Sequence, residues 1–453
     1  MKQTLMTEGA PFGLLIRFSI PIMLTDIIQQ IYTIADSVIV GRLIGVNAFA
    51  AVSAAGSFYW LILVILFGFS HGFGVLIAQA FGSKNHTELR RICALALWLT
   101  VVGGVILAII CLIFVKPVLT LMQTPIDILD DAVIYLSTLL CGLLWTFLNS
   151  VLFSIFRSLG DSKTPLYTFV VCSILNIILD ILLVIYTPMG VAAAALATVF
   201  TQMLSVVFCL WYLIKYTEIR FDRQDFRMRA SIVKELLRLG APLGLRDCIS
   251  AVGGIVIQYF INGYGTLFIA GVAAAKKLYS ILFIIGGGVD GAIAVFTAQN
   301  YGAGRFDRIK KGVLTARRIM IAGLLVIIPL MLMFGRKILG LFILDADERL
   351  NAVLDIAVNQ LQVCLILLPA LYMLFLYRSA LQGMGNSFTP MLSGIMEAGL
   401  RILGVLILPL FFGEWGVYIA EPLGWPAMAI QLYISYILVY KQKNKDSSRF
   451  TYN

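Results

Sequence analysis

The chain has 453 residues, of which 60% are hydrophobic and 13% charged, with mean hydropathy +0.95 and formal net charge +10. A soluble domain carries about 25% charged residues, so this composition excludes a soluble or disordered protein and specifies a polytopic membrane protein. Cysteines are scattered through apolar runs and His71 and His86 lie in separate segments, so neither a disulfide framework nor a metal cluster is expected.

Taken in chain order, hydropathy predicts twelve spanning helices at 12–40, 48–74, 88–116, 128–156, 164–186, 190–215, 233–262, 268–297, 308–335, 351–380, 390–412 and 415–440. Several exceed the roughly 20 residues needed to cross a bilayer and must tilt or protrude. The first run, Pro11 to Val40, is too long for the apolar core of a cleavable leader. Thr187-Pro188-Met189-Gly190 and Asn262-Gly263-Tyr264-Gly265 mark clear breaks. Lys and Arg crowd the N-terminus, the even-numbered loops and the C-terminus. The odd-numbered loops hold only Arg42, Lys116, Arg336, Lys337 and Arg349. By the positive-inside rule both termini are cytoplasmic, and the basic excess is an inner-leaflet signature rather than a nucleic-acid stripe. One hydrophilic stretch, Lys215–Arg238, divides the chain. It predicts an N-terminal lobe over 1–218, a cytoplasmic linker over 219–232, and a C-terminal lobe with its tail over 233–453.

The halves repeat. Arg17-Phe18-Ser19-Ile20-Pro21 returns as Arg238-Leu239-Gly240-Ala241-Pro242, and Ala78-Gln79-Ala80-Phe81-Gly82 as Ala298-Gln299-Asn300-Tyr301-Gly302. Arg90-Arg91 maps onto Lys310-Lys311, and Gly160-Asp161-Ser162-Lys163-Thr164-Pro165 onto Gly385-Asn386-Ser387-Phe388-Thr389-Pro390. Six helices per half leave both copies in one orientation, so the fold class is all-α, with two six-helix lobes related by a parallel pseudo-two-fold axis. Such repeats commonly bracket a central path and rock against each other.

Within the fifth predicted helix the only polar interruptions late in the run are Asn176 and Asp180, four apart and therefore on one face. A carboxylate deep in an apolar helix costs about 2.5–3.5 kcal/mol on insertion scales. An ion or proton site facing the protein interior is the expected reason for one.

These stretches resemble the multidrug and toxic compound extrusion (MATE) family over essentially the whole chain. The resemblance rests on Ala35-Asp36-Ser37-Val38-Ile39-Val40-Gly41-Arg42, the paired Ala-Gln-x-x-Gly turns, Gly160–Pro165 leading to Asn176 and Asp180, and the Gly190–Thr198 opening of the sixth helix. It implies a V-shaped pair of lobes and export driven by inward movement of Na⁺ or H⁺, with no other cofactor. It also implies an ion site in the N-terminal lobe whose carboxylates fall on Asp36 and Asp180, its amide on Asn176 and its hydroxyl on Thr198. Helix geometry agrees. At about 1.5 Å per residue, Asp36 lies about 7–8 Å from the end of helix one, Asp180 about 10 Å from the end of helix five, and Thr198 about 12 Å into helix six. That oxygen set suits a hard cation, and two close carboxylates equally suit a shared proton. The sequence leaves Na⁺ and H⁺ both open.

The second half departs from this pattern, with Arg401 where the repeat puts Asn176 and Val405 where it puts Asp180. Glu397 and Arg401, four apart, are expected to form a structural or gating ion pair. Asp26 and Lys276 are further intramembrane charges with an expected substrate or gating role. Acids outnumber bases within the helices, which leans toward cationic amphipathic substrates, and the Phe and Met content suits adaptable binding. The expected protein is a monomeric antiporter of the prokaryotic cytoplasmic (inner) membrane, with small amphipathic compounds and the bilayer as partners and no nucleic acid. The rival reading is a flippase for lipid-linked oligosaccharides or cell-wall precursors, kept alive by Arg246, Lys276, Lys277 and Arg401. No nucleophile–base constellation, metal motif or phosphate loop suggests an enzyme.

Overall fold

The computed structural model describes residues 4–217, 219–341 and 349–450. Inside hydrocarbon every backbone polar group must be satisfied within its own segment, and the described chain accordingly contains helices and no strand. The first half holds α1 (Pro11–Leu43), α2 (Val46–Gly82), α3 (His86–Leu121), α4 (Ile126–Cys141), α5 (Leu143–Ser158), α6 (Lys163–Tyr186) and α7 (Val191–Tyr216). A 3-10 turn, Arg223–Phe226, precedes the second half, made of α8 (Ala230–Asn262), α9 (Thr266–Gly302), α10 (Phe306–Gly340), α11 (Arg349–Gly383), α12 (Phe388–Phe412), α13 (Glu414–Ala420) and α14 (Gly424–Phe450).

Eleven stretches are long and apolar enough to cross a membrane, and the bent pair α4–α5 makes the twelfth. All twelve predicted spans are therefore present. Two differ internally from the expectation. The fourth is broken by a 49° bend at Gly142, where an added Cβ would stand 2.3 Å from Val199 Cγ2 of α7. The twelfth is interrupted between α13 and α14 by Glu421-Pro422-Leu423, because Pro422 cannot continue the helical hydrogen-bond ladder. Residues 342–348 of the predicted loop between the ninth and tenth spans lie outside the described residues, as does Glu218 at the predicted lobe boundary.

The repeat is visible in the backbone. Gly190 and Gly413 share a conformation that only glycine takes without strain, φ 55°, ψ −132° and φ 56°, ψ −133°. Positive φ also recurs at Gly45 and Gly265, Lys84 and Gly304, and Gly160 and Gly385. Asp161 Oδ1 accepts from Thr164 N at 3.0 Å, and Asn386 Oδ1 accepts from Thr389 N at 3.1 Å in the corresponding turn.

By packing, the chain forms two compact units, Met1–Leu5 with Ile20–Gly244, and Met6–Ser19 with Leu245–Asn453. In the first unit the buried Asp225 of the linker faces Arg90 and Arg91 of α3 at 3.7 and 3.8 Å. The second unit treats the start of the chain the same way. Gln299 Oε1 accepts from Met6 N at 2.8 Å, Arg305 donates to Thr7 O at 2.6 Å, and Arg308 donates to Met6 O and Gly9 O at 3.1 and 3.0 Å. So each unit's turn after its second span holds the segment that introduces the other half.

The opening of α8 packs on α2 through two glycine pairs spaced one helical turn apart. A Cβ on Gly68 would lie 2.3 Å from Gly244 N, and one on Gly72 would lie 2.4 Å from Gly240 Cα. Small residues at i and i+4 let helix backbones approach this closely in membranes. Gly72→Ala should therefore destabilise the protein by about 1–3 kcal/mol through overpacking, read as a lower melting temperature in detergent. Gly287→Ala, where nothing lies within 4 Å, serves as the control. Equal melting of the two variants would refute the close approach.

Candidate functional site

Three helices of the first unit bring polar groups to one place. The α6 contribution starts from the Gly160–Pro165 turn, where Asp161 Oδ1 accepts from Lys163 N and Thr164 N, each at 3.0 Å, and Oδ2 from Thr164 Oγ1 at 2.5 Å. This anchors the helix that carries Asn176 and Asp180. The α7 contribution depends on Gly142, since Val199 packs against that glycine and its neighbour Thr198 is thereby held near α6. Asp36 and Tyr32, one turn apart on α1, complete the set.

Asp180 is fully buried (0% exposed) and Asn176 nearly so (2%). The Asn176 amide is satisfied with its nitrogen donating to Asp180 Oδ2 at 2.9 Å and to Tyr32 Oη at 3.2 Å, while its oxygen accepts from Thr198 N at 3.1 Å. The opposite orientation would press an amide oxygen against a carboxylate. The Asp36 and Asp180 carboxyls lie within hydrogen-bonding reach of each other. Two carboxylates in contact are stable only with a proton or a cation between them. Asp180 Oδ1 is buried and has no protein donor, so the donor set fits either occupant. Among the described residues no group of three or more His, Cys, Asp or Glu side chains could hold a metal. A cation here would draw on two carboxylates with neutral oxygens, the chemistry of a hard ion.

The structure thus brings together Asp36, Asn176, Asp180 and Thr198. It adds Tyr32, which the sequence reading missed although its i−4 spacing from Asp36 places it on the same face. The Tyr32 ring rests edge-on against Phe169, centroids 6.5 Å apart. Tyr59 and Tyr135 border the same polar neighbourhood, and Tyr59 Oη lies 3.2 Å from Thr146 Oγ1. Asp26 does not join. It is ten residues, about 15 Å, back along α1, in the field of Arg157.

The remaining expected residues lie in the second unit and form separate pairs. Lys276 Nζ donates to the neutral amide oxygen of Gln258 at 3.4 Å. The expected Glu397–Arg401 pair is corrected: Arg401 reaches Glu421 at 3.6 Å, and Glu397 leans on Gly424 of α14. Glu421 sits at the α13–α14 break, where it is buried and accepts from Tyr279 Oη at 2.6 Å. A buried carboxylate with one neutral donor draws the nearby cation more strongly than a half-buried Glu397 on the same helix does. Two further part-buried pairs lie in this unit, Arg246–Asp247 at 2.6 Å and Arg378–Asp290 at 3.2 Å.

Paired six-span repeats with a polar cluster buried in one of them define a multi-pass membrane protein with the internal repeat common among transporters. The MatE family model matches residues 21–182 and again 242–407, so the two matches begin 221 residues apart and end 225 apart, as the internal repeat requires. The chain belongs to the MatE family. It is 30% identical over 340 residues to the probable multidrug resistance protein YoeA of Bacillus subtilis (strain 168), covering 73% of each chain. It is 23% identical over 414 residues to the multidrug export protein MepA of Staphylococcus saprophyticus, covering 91% of this chain and 89% of that one. A crystal structure of a MATE protein in the bent conformation matches the fold with a TM-score of 0.91 at 21% identity over 99% of both chains.

Two outcomes follow from this geometry. Tyr32→Phe keeps the ring and deletes the hydroxyl that meets Asn176, and should weaken transport about three- to tenfold, the worth of one hydrogen bond, with unchanged melting. Full activity would remove Tyr32 from the site. Glu421→Gln strands Arg401 and should cost about 3–5 kcal/mol in detergent melting, whereas Glu397→Gln should be near neutral. The reverse order would contradict the observed pairing.

Proposed function

We propose that the protein is a secondary active exporter of amphipathic, cationic organic compounds, exchanging them for Na⁺ or H⁺. The observation that carries this reading is the contact between Asp36 and Asp180 in an apolar span, with Asp180 Oδ1 buried and lacking a protein donor. Such a pair binds a proton or a hard cation and gains free energy from doing so. In the proposed cycle the ion enters from outside between Asp36, Asp180, Asn176 and Thr198, draws α1 toward α6, and narrows the substrate path. Substrate leaves outward and the ion later leaves inward. Coupling is then the difference in ion and substrate affinity between the two states.

Relatives named as multidrug resistance and multidrug export proteins support the substrate class. The excess of intramembrane acids supports cations among those substrates, and the crowding of Lys and Arg on alternate loops supports cytoplasmic termini in an inner membrane. In this reading the protein works as a monomer without a further cofactor. In the second unit, the corresponding positions hold Arg401 and the buried Val405, and we assign no ion site there.

The experiment is efflux of a fluorescent organic cation from proteoliposomes under a Na⁺ or an H⁺ gradient imposed separately. Wild type should respond to at least one gradient, and Asp36→Asn and Asp180→Asn should each abolish the response while the protein still inserts and melts as a folded species. Undiminished gradient-driven efflux in both variants would overturn the mechanism. No efflux from correctly inserted wild type under either gradient would overturn the substrate assignment.

A further inference from the structure

One cavity of the second unit takes no part in the proposed cycle. It holds about 300 Å³ among α10, α11 and α14, and three cations line it: Lys310, Arg317 and Lys441. Four tyrosines, Tyr377, Tyr433, Tyr436 and Tyr440, supply most of the remaining wall. Their rings form a continuous array, with centroids 5.0 Å apart for Tyr377–Tyr433, 5.7 Å for Tyr377–Tyr436 and 5.9 Å for Tyr436–Tyr440.

The cations distinguish the cavity. Among the described residues, Lys310, Arg317 and Lys441 form no ion pair. Nearby cations are committed elsewhere: Arg305 and Arg308 hold backbone carbonyls of the N-terminal segment, and Arg378 holds Asp290. Arg317 instead meets the Tyr377 hydroxyl. One carboxylate, Asp307, faces Tyr440, which leaves the lining net positive.

The internal repeat acts as a control. At the repeat spacings, Arg317 maps onto Leu97, Tyr377 onto Leu152, and Tyr436 onto Leu213, all of them buried leucines. Of the other two cations, Lys310 maps onto Arg90, whose counter-ion is Asp225, and Lys441 maps onto Glu218, outside the described residues. The first half thus has leucine where Arg317, Tyr377 and Tyr436 stand, and that part of the lining is particular to the second half.

Depth and surroundings indicate what fits. Lys310 lies on the second turn of α10, beside the basic turn that follows α9, and Arg317 is seven residues, about 10 Å, further along. The cations thus run from the basic end of the helix inward. Tyrosine arrays mark the interface between headgroups and hydrocarbon, and basic pockets between spans on that side suit lipid phosphates. Ile434 and Leu438 of α14, beside the cavity, are 52% and 63% exposed, giving apolar surface for acyl chains.

We propose that this cavity binds the headgroup of an anionic phospholipid, its phosphate between Arg317, Lys310 and Lys441 and its chains along Ile434 and Leu438. Tyrosine hydroxyls donate to the same oxygens, and the bound lipid ties α10, α11 and α14 together. The inference concerns none of the residues of the ion site and does not depend on which compound is exported.

The test is native mass spectrometry of the purified full-length protein offered equimolar phosphatidylglycerol and phosphatidylcholine. Wild type should retain phosphatidylglycerol preferentially, and Lys310→Gln/Arg317→Gln/Lys441→Gln should lose about fivefold of that preference for each cation removed. The control Arg223→Gln/Arg227→Gln/Arg229→Gln makes the same change in net charge on the linker and should keep the preference. The single variant Arg317→Gln provides the reading if the triple variant melts abnormally, and it should lose about fivefold. Undiminished preference in the cavity variants, or an equal loss in the linker control, would overturn the proposal. So would wild type whose melting temperature is raised by inorganic phosphate but not by phosphatidylglycerol, since that result identifies a free-anion site.

Discussion

A carboxylate that water cannot reach governs the first unit. Asp180 has no exposed surface, and its helix offers it nothing apolar neighbours could replace. Asn176, one turn away, supplies one hydrogen bond and is itself held by Thr198 and Tyr32. Those contacts require α7 and α1 to lie close to α6, and α7 can do so because Gly142 breaks the fourth span and leaves room for Val199. The surroundings of one buried charge thus include a glycine break in the fourth span, the valine of α7 that packs on it and the polar face of α1. The network satisfies Oδ2 and leaves Oδ1 buried without a protein donor. A partly satisfied polar cluster in a low-dielectric interior is where small changes in occupancy carry large free energies.

The two halves show how far a scaffold constrains its interior. Their turns agree down to the backbone angles of Gly190 and Gly413 and the capping of Asp161 and Asn386. Their interiors do not. The second unit neutralises its buried charges internally, as Arg401–Glu421, Arg246–Asp247 and Arg378–Asp290. Among the described residues, the first brings two acids together at one point without a basic partner. Turn geometry is fixed by the bilayer and by chain reversal, which both halves face equally. Interior polarity is free to diverge once the helices pack.

Spans, their order and the repeat were legible in the sequence because bilayer thickness imposes a length and an apolar composition that hydropathy reads directly. Asn176 and Asp180 stood out because polar side chains are conspicuous in an apolar run, whereas Asp36 and Thr198 were pointed to by the family resemblance. Tyr32 was not legible, since a tyrosine in a membrane helix is unremarkable until its hydroxyl is seen on Asn176. The Gly142 break was hidden for a similar reason: one glycine in a long apolar run looks like packing, and the residue that exploits it, Val199, is distant in sequence. The Glu397–Arg401 expectation failed because helical spacing says which residues share a face but not which neighbouring helix offers the more buried charge. The allocation of Met6–Ser19 to the second unit was beyond reach altogether, since it rests on hydrogen bonds to Gln299, Asn300, Arg305 and Arg308.

That allocation bears on how the site could act at a distance. α1 carries Tyr32 and Asp36 in the first unit, yet its residues up to Ser19 belong to the second. Pro21 stands immediately after the change of unit, and it removes the backbone hydrogen bond to Arg17 four residues earlier. α8 repeats the design, passing from the first unit to the second after Gly244 with Pro242 just before the change. A helix weakened at one point bends there in preference to elsewhere. Each shared helix thus carries a proline beside the change of unit, and Arg305 and Arg308 hold the segment leading into α1. Coupling between distant sites requires an element whose alternative arrangements both sites bias; α1 carries Tyr32 and Asp36 in the first unit, and the residues just before it, Met6, Thr7 and Gly9, are held by the second unit's basic turn.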